Sequence, residues 1–184
     1  MTTSPTNEQE LLRGIAAGRT EDFDTVVSHY QSALLRYARS FVGDAQTSED
    51  VVQETFMALV RLRASITEID SLPAWLFRVT RNRALDQVKK ESRMRQREGA
   101  VAAREAIPPE PSSLEIDEQR TALARQLHDL DGRTRELLLL KIREGRSYRE
   151  IATITGASVG QVSKLIHQGL ARVARGLEAE GAPR

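Results

Sequence analysis

From Thr20 onward, Phe23, Val26, Val27, Tyr30, Leu34, Ala38 and Phe41 recur at intervals of three and four. That spacing places apolar side chains on one face of a helix, and Gly43 is expected to end it. A third helix is predicted over Ser48–Arg63, with Thr47 as its cap, Asp50 at its third position, and Val52, Phe56, Leu59 and Val60 buried. Ahead of both, Asn7–Ala17 reads as a short helix whose Glu8 and Glu10 suit the positive end of the helix dipole. Ala64–Leu72 has no apolar period and is expected to be a loop. Pro73 then sits in the first turn of a fourth helix, where its missing N–H costs nothing. Trp75, Leu76, Val79 and Val88 are expected to face inward from it. Around Glu98–Ser113 the pattern fails, and Pro108, Pro109 and Pro111 exclude a helix interior. Helical spacing returns over Leu114–Leu130 and Arg133–Glu144.

The stretch Ser147–Arg172 predicts two helices with a tight break between them. Ser147 and Glu150 have the spacing of a capping box, and Ser158 and Gln161 repeat it. Between them Gly156 is the residue best suited to the left-handed conformation that ends a helix. Small Ala152 permits close approach, and Ile151, Ile154, Val162, Leu165 and Ile166 supply a shared apolar seam. Helix, glycine turn, helix is the arrangement whose second helix enters the DNA major groove. The same pattern also suits an ordinary helical hairpin in a small bundle.

No alternating strand pattern and no internal repeat occurs, so the fold class is all-α: two small helical domains joined by a proline-containing linker. The expected division is an N-terminal tail or helix at 1–19, a domain at 20–97, a linker at 98–114 and a helix-turn-helix domain at 115–184.

Composition changes this picture in two ways. The 184 residues are 40% hydrophobic and 29% charged, which is globular, and there is no cysteine, which excludes disulfides and thiolate metal sites. The N-terminus lacks a signal-peptide pattern and the longest apolar run is Leu137–Leu140, so a cytoplasmic protein without membrane insertion is expected. The net charge is only +1, yet Arg78, Arg81, Arg83, Lys89, Lys90, Arg93, Arg95 and Arg97 crowd one helix against Asp86 and Glu91. A run of nearly one sign along one helix is the electrostatic footprint of phosphate binding. No glycine-rich phosphate loop or hydrolase motif is present, and His29, His128 and His167 lie far apart. The chain is therefore expected to have no catalytic site, metal or cofactor.

Two stretches carry a resemblance. The segment SEDVVQETFMALVR followed by LPAWLFRVTRNRALDQVKK, with its D-x-x-Q-E and W-L-x-R-x-x-R-N patterns, resembles region 2 of the extracytoplasmic-function (ECF) class of bacterial RNA polymerase sigma factors. Leu130–Val173 resembles region 4 of the same class. The resemblance implies a protein that recruits core RNA polymerase to a subset of promoters and starts strand opening. It implies that Asp50, Gln53 and Glu54, with apolar support from Phe56 and Met57, dock on the β′ clamp helices. The loop containing Ile66 and Asp70 would form the base pocket for the −10 element. Asn82 would read a base edge while Arg78, Arg81, Lys89, Lys90 and Arg93 hold the phosphates. The second helix of the helix-turn-helix would read the −35 element, close to the polymerase β flap. An anti-sigma factor is the further partner the family implies.

The recognition helix departs from the family. Where many members carry S-V-G-T-V-K-S-R-L-x-R, this chain has SVGQVSKLIHQ. Its −35 contacts are then expected from Ser158, Gln161, Ser163, Lys164, His167, Gln168 and Arg172, with fewer cations and weaker phosphate binding than usual. Gln161 can pair with adenine only if its amide is not already used as a cap. The residues also admit a conventional helix-turn-helix regulator that binds DNA without polymerase, or a sigma-like decoy or adaptor.

Overall fold

The computed structural model describes residues 5–97 and 118–181, and every element among them is helical. The order is α1 (Pro5–Ala17), α2 (Thr20–Val42), α3 (Ala45–Arg61), a 3-10 turn (Arg63–Glu68), α4 (Leu72–Arg97), α5 (Glu118–His128), α6 (Gly132–Leu138), a π turn (Leu139–Arg143), α7 (Tyr148–Thr155) and α8 (Val159–Gly181). The chain divides into two units, Met1–Ala102 and Ala103–Arg184. The all-α fold class stands. The predicted linker and the start of the Leu114–Leu130 helix lie outside the described residues.

In the first unit α2, α3 and α4 pack on one another and α1 packs on α2 and the 3-10 turn. The predicted α2 stripe forms the seam, with Val26, Tyr30, Leu34 and Ala38 buried and Gly43 ending the helix at φ 90°. The core is filled from the other side by Leu12, Ile15, Val52, Phe56, Leu59, Leu76 and Phe77. On α4 the buried stripe is Pro73, Leu76, Phe77, Thr80 and Ala84, whereas Trp75, Val79 and Val88 are only half-buried. Thr80 belongs to the stripe because its hydroxyl meets that of Thr55 at 3.2 Å, satisfying both groups where water is excluded.

Three expectations for this unit are corrected. The cap of α3 is Asp44 and not Thr47: its Oδ1 accepts the Thr47 N–H at 2.7 Å, so the helix starts about a turn earlier and ends at Arg61. Val60 is 44% exposed, because it sits about 100° around the helix from buried Leu59. The segment after α3 is not irregular: Ile66 and Ile69, three apart, are both buried, the spacing that a 3-10 turn aligns on one side.

The second unit closes on Leu137, Leu138, Leu140, Ile151, Ile154, Val162, Ile166 and Val173, with α8 packed against α5, α6 and α7. The helix predicted to run to Glu144 widens into the π turn at Leu139. It ends where Gly145, at φ 66°, lets the Arg146 N–H reach the Leu140 carbonyl at 2.9 Å. This turn leaves Ile142 63% exposed.

Candidate nucleic-acid and polymerase interfaces

On α3, the side chains that do not enter the core form one face. Asp50, Gln53, Glu54 and Met57 are all exposed and lie within about 100° of one another around the helix. Exposed Val60 and Arg61 continue the same face. Met57 is 46% exposed, so the face offers an apolar spot ringed by polar groups. Phe56 is not part of it. Its ring is buried, edge-on to Phe23 with centroids 6.3 Å apart, so it supports α3 from beneath. Glu54 is not isolated either: its carboxylate pairs with the Arg83 guanidinium of α4. That ion pair joins the acidic face of α3 to the basic helix.

The basic helix sorts its charges by angle. Arg78, Asn82, Lys89 and Arg93 fall within about 60° of one another, on the side opposite the buried stripe. All four are exposed, with exposed Lys90 on one flank and half-buried Arg81 on the other. Lys89 lies 3.6 Å from Asp86 and Arg95 3.7 Å from Glu91, both as neighbours along the helix surface. Such exposed pairs are weak and easily exchanged for a phosphate. Immediately before α4, the 3-10 turn and its exit present exposed Thr67, Glu68 and Asp70. Ile66 is fully buried, so it is a core residue and not the wall of a base pocket.

In the second unit both predicted capping boxes form. The Ser147 hydroxyl accepts the Glu150 N–H at 3.2 Å while Glu150 accepts the Ser147 N–H at 2.8 Å. Ser158 and Gln161 make the same exchange at 3.2 and 3.1 Å. Between them Gly156 takes the left-handed conformation at φ 71°, and the α7–α8 pair is the helix-turn-helix that the spacing predicts. On α8, Lys164, His167, Gln168 and Arg172 are exposed and Ser163 is half-buried at the edge of the face. Ser158 and Gln161 are exposed at the start of that helix, with the Gln161 carbonyl oxygen held by its capping bond. His167 lies edge-on to Tyr148, at 6.5 Å between centroids, and the Lys141 ammonium stands 5.1 Å over the Tyr148 ring.

Among the described residues no group of His, Cys, Asp and Glu is placed to hold a metal, and no helix is long and apolar enough to cross a membrane. Sequence reasoning missed Arg83 as the partner of Glu54, and Phe77 and Thr80 as core. The stripe Pro73, Leu76, Phe77, Thr80, Ala84 was visible as a helical period, but a polar threonine interrupts it.

Comparison with known proteins agrees with this geometry. The sigma-70 region 2 family matches residues 26–94 and the sigma-70 region 4 family matches residues 120–173. A probable RNA polymerase sigma factor RfaY of Xanthomonas campestris is 30% identical over 165 residues, covering 86% of this chain and 41% of that protein. The ECF RNA polymerase sigma factor EcfG of Rhodopseudomonas palustris is 30% identical over 152 residues, covering 82% of each. Among solved structures, the sigma factor RpoE of Bartonella quintana, crystallised with the anti-sigma factor NepR, is 28% identical with a TM-score of 0.66, over 86% of this chain and 98% of that one. With a strongly basic helix, a helix-turn-helix and these matches to both regions, the chain belongs to the ECF class of RNA polymerase sigma factors.

Proposed function

We propose that this sigma factor seats its first unit on the polymerase β′ clamp helices through Asp50, Gln53, Glu54 and Met57 and holds the −10 strand on α4 and the turn before it. Arg78, Lys89, Lys90 and Arg93, with Arg81 on the flank, grip phosphates, and Asn82 and the exposed turn around Asp70 meet unstacked bases. Lys164, His167, Gln168 and Arg172 enter the −35 major groove, with Ser158 and Ser163 at its edge. The single observation that carries the reading is the α4 surface, a one-sided row of Arg78, Asn82, Lys89 and Arg93 opposite the core.

Polymerase supplies the chemistry of RNA synthesis; the sigma factor supplies position and works in the cytoplasm as no enzyme of its own. Its two DNA-binding units need little affinity singly, because joining them raises the effective concentration of the second. The β flap is the expected seat of the second unit. An anti-sigma protein is the expected antagonist, as in the RpoE–NepR complex.

The test is run-off transcription from genomic fragments with core polymerase, comparing wild type with the Asp50→Ala/Gln53→Ala double variant. New start sites that vanish in the variant support the reading and reveal both promoter elements. Stable polymerase binding with no start site anywhere would replace it with a decoy; absence of polymerase binding would leave a plain DNA-binding regulator.

A further inference from the structure

The turn that precedes α4 is tied to α1 at both ends and through its middle. At its start the Arg63 Nε–H donates to the Ala16 carbonyl at 3.0 Å, in the last turn of α1. The Arg63 guanidinium lies over Gly18, which ends α1 at φ 84°, a conformation that favours glycine. At its end the Leu72 N–H, the first of α4, donates to the Glu8 carboxylate, a bond between residues 64 apart in the chain. Between these anchors Ile66 and Ile69 are buried, as are Leu12 and Ile15 on α1, the helix against which the turn packs. Arg63, Ala64, Thr67, Glu68 and Asp70 remain exposed.

A helix start leaves N–H groups without partners inside the helix. At α4 the local cap is weak, since the Ser71 hydroxyl lies 3.4 Å from the Ala74 nitrogen. A carboxylate acceptor is stronger than a neutral one and suits the positive end of the dipole. With both ends fixed to α1, the direction of the exposed side chains is set by a helix that carries none of them.

We propose that α1 is the positioning element of the −10 turn, with Glu8 the positioning residue that fixes the turn–α4 junction and presets the exposed face for an unstacked base. This rests on the first-unit reading above. Glu8 itself touches no DNA in this scheme. Buried Leu12 and Ile15 hold α1 in place without it, so its loss should loosen the turn and leave the unit folded.

The experiment uses holoenzyme reconstituted with the full chain as wild type, Glu8→Ala and Glu8→Gln. Capture of fork-junction DNA is measured with a matched and a scrambled single-stranded −10 segment, the matched sequence coming from mapped start sites. Glu8→Ala should lower the matched-to-scrambled ratio about fivefold, the scale of losing one cap, with polymerase affinity unchanged and the thermal midpoint lowered by no more than the few degrees one cap is worth. Glu8→Gln, which keeps an acceptor oxygen, should restore most of the ratio. Amide exchange in the free protein should rise in Glu8→Ala over residues 63–74 and not in α2. A Glu8→Ala ratio equal to wild type overturns the proposal, as does a fall matched by equal loss of polymerase affinity. Wild-type holoenzyme that cannot tell matched from scrambled strand sinks the −10 reading itself, and the proposal with it.

Discussion

Asp44 and Asp131 start α3 and α6 with the same bond. Each Oδ1 accepts a backbone N–H three residues on, from Thr47 at 2.7 Å and from Thr134 at 3.0 Å. Those backbone donors hold both carboxyls below the ordinary range. The folded state then favours the ionised form, and as pH falls the unfolded chain takes up protons first. The stabilisation is complete above the ordinary carboxyl value of about 3.9 and is lost as pH falls through the lower folded value. Asp44→Ala should cost about 1 kcal/mol near neutral pH, and its gap to wild type should narrow in acid. Asp44→Asn caps without titrating and should keep its stability there. Urea unfolding across that pH range checks the sign, and a gap that widens in acid would refute it.

At the scale of the element, the two helices proposed to meet DNA differ in how many cations they present. On α4 the exposed row Arg78, Lys89 and Arg93 places three cations along one face, whereas the face of α8 formed by Lys164, His167, Gln168 and Arg172 has cations only at Lys164 and Arg172. Each phosphate contact adds about 0.9 to the slope of log affinity against log salt. Gln168→Arg should therefore steepen the salt dependence of −35 binding by about that amount and tighten binding at low salt. A fluorescence titration of holoenzyme on double-stranded −35 DNA at several salt concentrations reads it. An unchanged slope would place Gln168 away from the backbone. Gln161 was a candidate adenine reader by residue type; its carbonyl oxygen caps α8 instead. Local spacing foretold that cap, because Ser158 and Gln161 lie within one helical turn.

In the whole molecule, each unit fills a core from its own helices. Phe77, Leu34, Leu59 and Leu76 are buried in the first, and Leu137, Leu138, Ile151 and Ile166 in the second. Phe77→Ala should destabilise the first unit by about 3–5 kcal/mol, the usual cost of emptying an aromatic site. Amide exchange should accelerate in α2, α3 and α4 while protection in α6, α7 and α8 is kept. Equal acceleration in both would mean the chain unfolds as one cooperative body. The Glu54–Arg83 pair acts at this scale too, since it links residues 29 apart and joins α3, the proposed polymerase-docking helix, to α4, the proposed −10 helix.

What the sequence determined by itself is what local chemistry decides. The helical period of α2, the stops at Gly43 and Gly156 and both capping boxes involve residues within a turn or two, so spacing alone revealed them; on α4 it revealed the helix but only Leu76 of its buried stripe. The helix-turn-helix followed from them. Tertiary structure decided the rest, because its partners lie far apart in the chain. Whether Val60 and Ile66 face solvent or the core depends on what packs above them: Ile66 is covered and Val60 is left exposed. Glu8 at the head of α4 has no sequence signal, since the N–H it satisfies belongs to Leu72, brought there only when α1 folds against the turn. A period records which face of a helix is apolar; only packing determines which neighbour covers it.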